Sequence, residues 1–130
     1  MNKQLFKEDL LYCDGRQRPY FRGKIHLIAC LTVFPIFIYL YYKTNCEHTF
    51  AFKVGMINLL IIYLAHIISS IYHSVPVSKE NEIILQKMDI IGANWYIGSS
   101  YYPMAFLLFP KVPGYLLATL ATIITIWNSI

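Results

Sequence analysis

Charge is scarce in this chain of 130 residues: only 14% are Asp, Glu, Lys or Arg, against roughly a quarter in an ordinary soluble domain. That shortage excludes a soluble fold of this size, which could not hide the remaining apolar surface. Cysteine is also sparse. Cys13, Cys30 and Cys46 form no CxxC pair, and their odd number does not suggest a disulfide framework, so all three are expected to be unpaired. No cleavable signal peptide is apparent either. The charged tail runs to Lys24, the apolar run after it has 18 residues, and no small-residue cleavage site follows. The first helix therefore reads as an uncleaved signal anchor. No repeat, low-complexity tract or soluble domain is evident.

What is present in quantity is apolar. Hydrophobic residues make up 57% of the chain and the mean hydropathy is +0.48. Four stretches lack Asp, Glu, Lys and Arg: 25–42, 54–78, 90–110 and 112–130. About 20 apolar residues of helix cross ~30 Å of hydrocarbon, and each stretch is close to that length. The fold class expected is all-α: a polytopic membrane bundle of four transmembrane helices, at about 25–42, 54–73, 88–109 and 113–130. Residues 1–24 form a basic tail and 25–130 the membrane domain. Segments 43–53 and 74–88 link the first three helices, and Phe109-Pro110-Lys111-Val112-Pro113-Gly114 turns tightly into the fourth.

The basic residues orient the bundle. Lys3, Lys7, Arg16, Arg18, Arg22 and Lys24 precede the first apolar run, and Lys79 and Lys87 fall on the same side. Lys43, Lys53 and Lys111 fall on the other, which predicts a cytosolic N-terminus. The basic tail is accordingly read as a topology signal rather than a nucleic-acid patch. The partner expected is the lipid bilayer, with a lipid substrate or ligand. Plasma and internal membranes are not distinguished by any targeting motif.

Breakers and polar residues inside the spans point inward. Pro35 is expected to kink helix one, because it lacks an N–H and frees a carbonyl. Gly92, Gly98, Ser99 and Pro103 give helix three a small-sided face suited to close packing. On helix two, Asn58, His66, Ser69, Ser70 and His73 recur at helical spacing. On helix three, Asp89, Gly92, Ala93, Tyr96, Ser99, Ser100 and Pro103 do the same. Polar groups at membrane depth are costly, so both stripes should face the bundle.

Helix two ends near His73 and helix three starts near Asp89, so a hairpin should bring these two to one end. A neutral imidazole is a common zinc ligand, and a carboxylate can be a ligand, an outer partner or a general base. A structural His–Asp hydrogen bond is the plainer alternative. His66 and His73 cannot share one ion, since seven residues of helix separate them by ~10.5 Å. His66 reads as a packing histidine. His26, at a helix start, and His48, in a loop, have no evident partner.

Three blocks resemble the hemolysin III family, within the progestin and adipoQ receptor superfamily. Arg22-Gly23-Lys24-Ile25-His26 is similar to the RGxxH segment of some bacterial members. Ser69-Ser70-Ile71-Tyr72-His73 resembles the SxxxH block that ends helix two. Met88-Asp89, Gly92 and Ser100-Tyr101-Tyr102-Pro103 resemble the family's helix with an aspartate, small residues and a proline. The resemblance covers roughly residues 18–109.

The resemblance implies a seven-helix membrane protein with zinc near the cytosolic face. It implies His73 as the helix-two zinc ligand, Asp89 as holder of a zinc-bound water or base, and Ser69 as the nearby hydroxyl. Zinc would acidify its water and polarise a carbonyl, as suits hydrolysis of a lipid amide such as ceramide. Receptor signalling and membrane lysis are the other activities linked to the family. The family's HxxxH block on helix seven has no counterpart here, and Ile90 follows Asp89 where the family often has histidine. The expectation is the front half of a family member.

Overall fold

The computed structural model describes residues 11–19, 21–43 and 49–130. Lys3, Lys7, Cys46 and His48 lie outside the described residues. Among the described residues five helices follow one another: α1 Arg22–Lys43, α2 Phe50–Ser74, α3 Lys79–Ser99, α4 Tyr101–Leu107 and α5 Lys111–Trp127. Apart from an isolated antiparallel bridge between Leu11 and Gln17, the ordered elements are helical. The chain is therefore all-α.

The 22 residues of α1 and 25 of α2 give rods of about 33 and 37 Å. Both are long and apolar enough to cross a membrane, with mean hydropathies of 1.9 and 2.0. Only 6% and 11% of these apolar windows are buried inside the protein. The core helix of a soluble domain would be mostly buried; these two present their apolar surface outward. Pro35 is accommodated inside α1. Thr49 caps α2, its hydroxyl accepting from the Phe52 N–H at 3.2 Å.

The third helix departs most from expectation. It begins at Lys79, not near 88, and the link from α2 is only Val75 to Ser78. Hydropathy ends a span where charge begins, but a helix does not stop there. Ser78 caps it by accepting from the Asn81 N–H, and Glu80 and Glu82 place negative charge on its first turn. The same helix also ends early, at Ser99, and resumes as α4. Pro103 explains the break: it donates no bond to the Ser99 carbonyl, and its ring crowds that group. The last helix runs to Trp127 rather than 130.

α1 packs on α2, α2 on α3 and α4, and α5 closes against α3 and α4. Small residues set these contacts. A Cβ at Gly23 would lie 2.0 Å from the Ser74 hydroxyl, and one at Gly98 would lie 1.9 Å from that of Thr125. At Gly114 it would meet the Ala105 backbone oxygen at 2.2 Å, so α4 and α5 touch backbone to backbone. Gly92 is looser, with Ala65 at 3.5 Å. The buried positions are mostly small or polar, among them Cys30, Ser69, Ser99, Ala105, Ala118 and Thr125. The large aliphatic side chains lie outside. The helix-three stripe is only partly inward: Gly98 and Ser99 are buried, whereas Ala93, Tyr96 and Ser100 are exposed.

Candidate functional site

The short link between α2 and α3 turns the chain back and lays two ionisable side chains together. His73 sits in the last turn of α2. Asp89 lies well inside α3, not at its start, because the helix begins earlier than hydropathy indicates. Nε2 of His73 is 3.6 Å from Oδ2 of Asp89, with side-chain exposures of 4% and 16%. That separation is longer than a hydrogen bond. Nε2 is fully buried and has no hydrogen-bond partner among the described residues. Such an atom is expensive to leave unpaired. Ser69 is buried one turn before His73, on the same helix face.

The other imidazole nitrogen is occupied. The Tyr12 hydroxyl is hydrogen-bonded to Nδ1 of His73. Tyr12 comes from a tight turn ahead of α1, in which its N–H donates to the Arg16 carbonyl at 2.8 Å and its carbonyl accepts from Gly15 at 2.9 Å. Gly15 has φ +83°, a conformation that glycine adopts without steric cost. Asp14 tightens the turn by accepting from the Arg16 N–H at 2.9 Å. That backbone hydrogen bond, reinforced by the Arg16 guanidinium, holds the Asp14 carboxyl below its ordinary pKa. Burial, with Tyr72 alongside, pushes the Tyr12 phenol up, so it stays protonated at neutral pH.

A buried ion pair straps this turn to the helices. Arg18 Nη2 donates to Glu82 Oε2 at 2.8 Å, with side-chain exposures of 5% and 10%. The same guanidinium donates to the carbonyls of Tyr72 at 2.9 Å, Val75 at 3.0 Å and Leu11 at 3.0 Å. Those carbonyls include two at the C-terminal end of α2, where orphan acceptors and the helix dipole attract a cation. The second Glu82 oxygen accepts from the Cys13 N–H at 2.8 Å. Both charges are thereby paired and hydrogen-bonded, the condition under which burial is tolerated.

Two further histidines adjoin the pair. Nδ1 of His26 and Nδ1 of His66 are 3.1 Å apart, and the His26 ring stacks on His73 with centroids 6.2 Å apart. His26 thus has a partner that the sequence did not reveal. His66 also meets Tyr96, at 5.7 Å between centroids, in keeping with a packing role. Cys13 and Cys30 are free thiols.

Tyr12, Arg18 and Glu82 were not singled out from sequence as site residues. The Asp14-Gly15 dipeptide signals a turn, but nothing local says that this turn docks on helix ends more than fifty positions away.

The metal implied by the resemblance can be tested on the donor set. An orphaned imidazole nitrogen facing a carboxylate is the right chemistry for a cation. Catalytic zinc, however, takes three protein ligands. Among the described residues, no group of three His, Cys, Asp or Glu could hold a metal ion. These residues alone do not fit a closed zinc site.

The fold and site define a bundle of apolar helices with outward-facing hydrophobic surface and a buried histidine–carboxylate pair at one end. The particular family follows from comparison. The family model for haemolysin-III related proteins matches residues 15–129, and the chain belongs to that family. No curated protein and no solved structure matches the chain.

Proposed function

We propose that this chain is a multi-pass membrane protein with its N-terminus in the cytosol, and that His73 and Asp89 are its share of a zinc-dependent lipid-amide hydrolase centre. The observation that carries this reading is the buried, unpartnered Nε2 of His73 facing Asp89. The remaining metal ligands come from histidines outside the described donor set, in a further segment or a partner. Ser69 supplies a hydroxyl on the same helix face. The topology proposed has four crossings: α1, α2, α3 continued by α4, and α5. Eight basic residues then fall on the cytosolic side and three on the other.

Zinc titrated in lipid nanodiscs into the form that carries the remaining histidines tests the ligand assignment. The isotherm is expected to disappear in His73→Ala; an isotherm left unchanged removes His73 as a ligand. Ceramide turnover by the form that carries the remaining histidines is expected to be lost in Asp89→Ala. Retained turnover favours a receptor without catalysis. Orientation is read separately by a membrane-impermeant maleimide, which should reach Cys13 only from the cytosolic side. Labelling of Cys13 from the opposite side overturns the proposed topology.

A further inference from the structure

The stretch ahead of α1 is folded on itself as well as docked. Leu11 bridges to Gln17, and the Tyr12 N–H donates to the Arg16 carbonyl. The Gly15 N–H donates to the Tyr12 carbonyl, and Asp14 closes on the Arg16 N–H. These contacts are internal, so residues 11–18 can meet or leave the helices as one unit. Pieces of this kind open at a lower free energy than a packed core.

The hold of this unit on the bundle converges on one residue of α3. Glu82 accepts from the Cys13 N–H with Oε1 and from Arg18 Nη2 with Oε2, each at 2.8 Å. Arg18 also donates to the carbonyls of Tyr72 and Val75. Those acceptors are neutral, and the buried guanidinium is tolerated beside them because Glu82 carries the opposite charge.

What the unit covers is an imidazole. His73 is met from three sides: by Asp89 of α3 at Nε2, by the His26 ring of α1 on its plane, and by Tyr12 at Nδ1. The first two belong to packed helices. The third is supplied by the turn alone. Tyr12 is itself buried, stacked on Tyr72 with centroids 5.2 Å apart and with the Arg18 guanidinium 4.7 Å from its own centroid. Lifting the turn withdraws the phenol and uncovers the Nδ1 edge of His73.

We propose that residues 11–18 form a lid over the end of the bundle that holds His73, with Glu82 as its latch. Closed, the lid shuts the Nδ1 edge of His73 from solvent; released, it opens that edge. The lid governs access, so it goes beyond the function proposed above and stands whether or not His73 ligates a metal.

Diethyl pyrocarbonate, which carbethoxylates accessible neutral imidazoles, tests the lid on the full chain in lipid nanodiscs, with peptide mass spectrometry separating the histidines. His73 should be labelled slowly in the wild type. Glu82→Gln should raise its rate about tenfold or more, the factor that loss of a charge-assisted hydrogen bond gives in an opening equilibrium. Gly15→Ala works from the exposed tip of the turn, where φ is +83° and no other group lies within 4 Å of an added Cβ. Its strain is relieved on release, so a rise of roughly fivefold is expected. His66, inside α2 against His26 and Tyr96, is the reference in the same chain and should keep its wild-type rate. A rise at His73 and His66 together reports general loosening of the bundle and overturns the lid. Wild-type labelling of His73 in both variants overturns it too. If Glu82→Gln does not fold, Gly15→Ala decides alone, since its added methyl touches nothing in the helices.

Discussion

The two ends of the bundle are held together differently. At the Tyr12 end the contacts are charged or hydrogen-bonding and long in range: Arg18 to Glu82, Tyr12 to His73, Ser70 to the Gly23 carbonyl at 3.2 Å. At the Phe50 end they are aromatic edges and small-residue approaches. Phe50 meets Phe106 at 5.6 Å between centroids, Phe106 meets Tyr115 at 5.8 Å, and Gly114 lies against the Ala105 backbone. A side-chain hydrogen bond, Tyr102 to Thr122 at 2.9 Å, joins α4 and α5 there. Where lipid tails are as apolar as leucine, hydrophobicity does not drive helices together. Close packing can serve at one end, whereas the other end concentrates polar groups that require partners.

The largest expected effect breaks the polar end. Arg18→Ala or Glu82→Ala strands a buried charge and should cost about 3–5 kcal/mol, read as a loss of thermal stability in detergent. A paired apolar replacement, Arg18→Met with Glu82→Leu, should recover most of that loss. Single variants as stable as wild type would mean that the strap is open in solution.

The next effect breaks the packed end. Gly114→Val places carbon where the Ala105 oxygen stands, and overpacking of this kind costs about 1–3 kcal/mol. Gly92→Ala sharpens the point, since its new Cβ meets Ala65 only at ordinary contact distance. It should be neutral, or stabilising by up to ~1 kcal/mol through helix propensity. Equal losses at the two glycines would contradict the packing described.

Smaller effects separate the ends more finely. Tyr102→Phe removes the hydrogen bond to Thr122 and should cost about 1 kcal/mol. Ser78→Ala removes the cap of α3. Its bond is long, at 3.5 Å, so the loss should sit near the low end of capping effects, about 0.5 kcal/mol. Since Ser78 leads into Glu82, that variant should also loosen the strap without touching His73.

Much of the helical layout was legible in the sequence. The charge-free runs located α1, α2 and α5 to within a few residues, because a span must be apolar throughout. They misplaced the start of α3, because Lys79 to Met88 reads as a polar link under hydropathy and as a capped helix under local hydrogen bonding. They also ran α3 and α4 together, although Pro103 was visible as a breaker. The approach of His73 to Asp89 followed from the hairpin alone. The partner of His26 did not, because helix faces on α1 and α2 can meet in several registers.

By itself, the sequence determined that this chain is built of apolar helices, that basic residues crowd ahead of the first apolar run, and that a histidine and an aspartate lie at the same end. Composition and spacing are sufficient for those conclusions, since they depend on chain-local rules. Only the tertiary structure decided that the N-terminal turn docks on the helix ends, that Arg18 and Glu82 share a buried contact, and that Tyr12 occupies one nitrogen of His73 and leaves the other facing Asp89. The Tyr12–His73 and Arg18–Glu82 contacts join residues 61 and 64 positions apart. Their partners are chosen by which buried polar groups remain unsatisfied once the helices have packed.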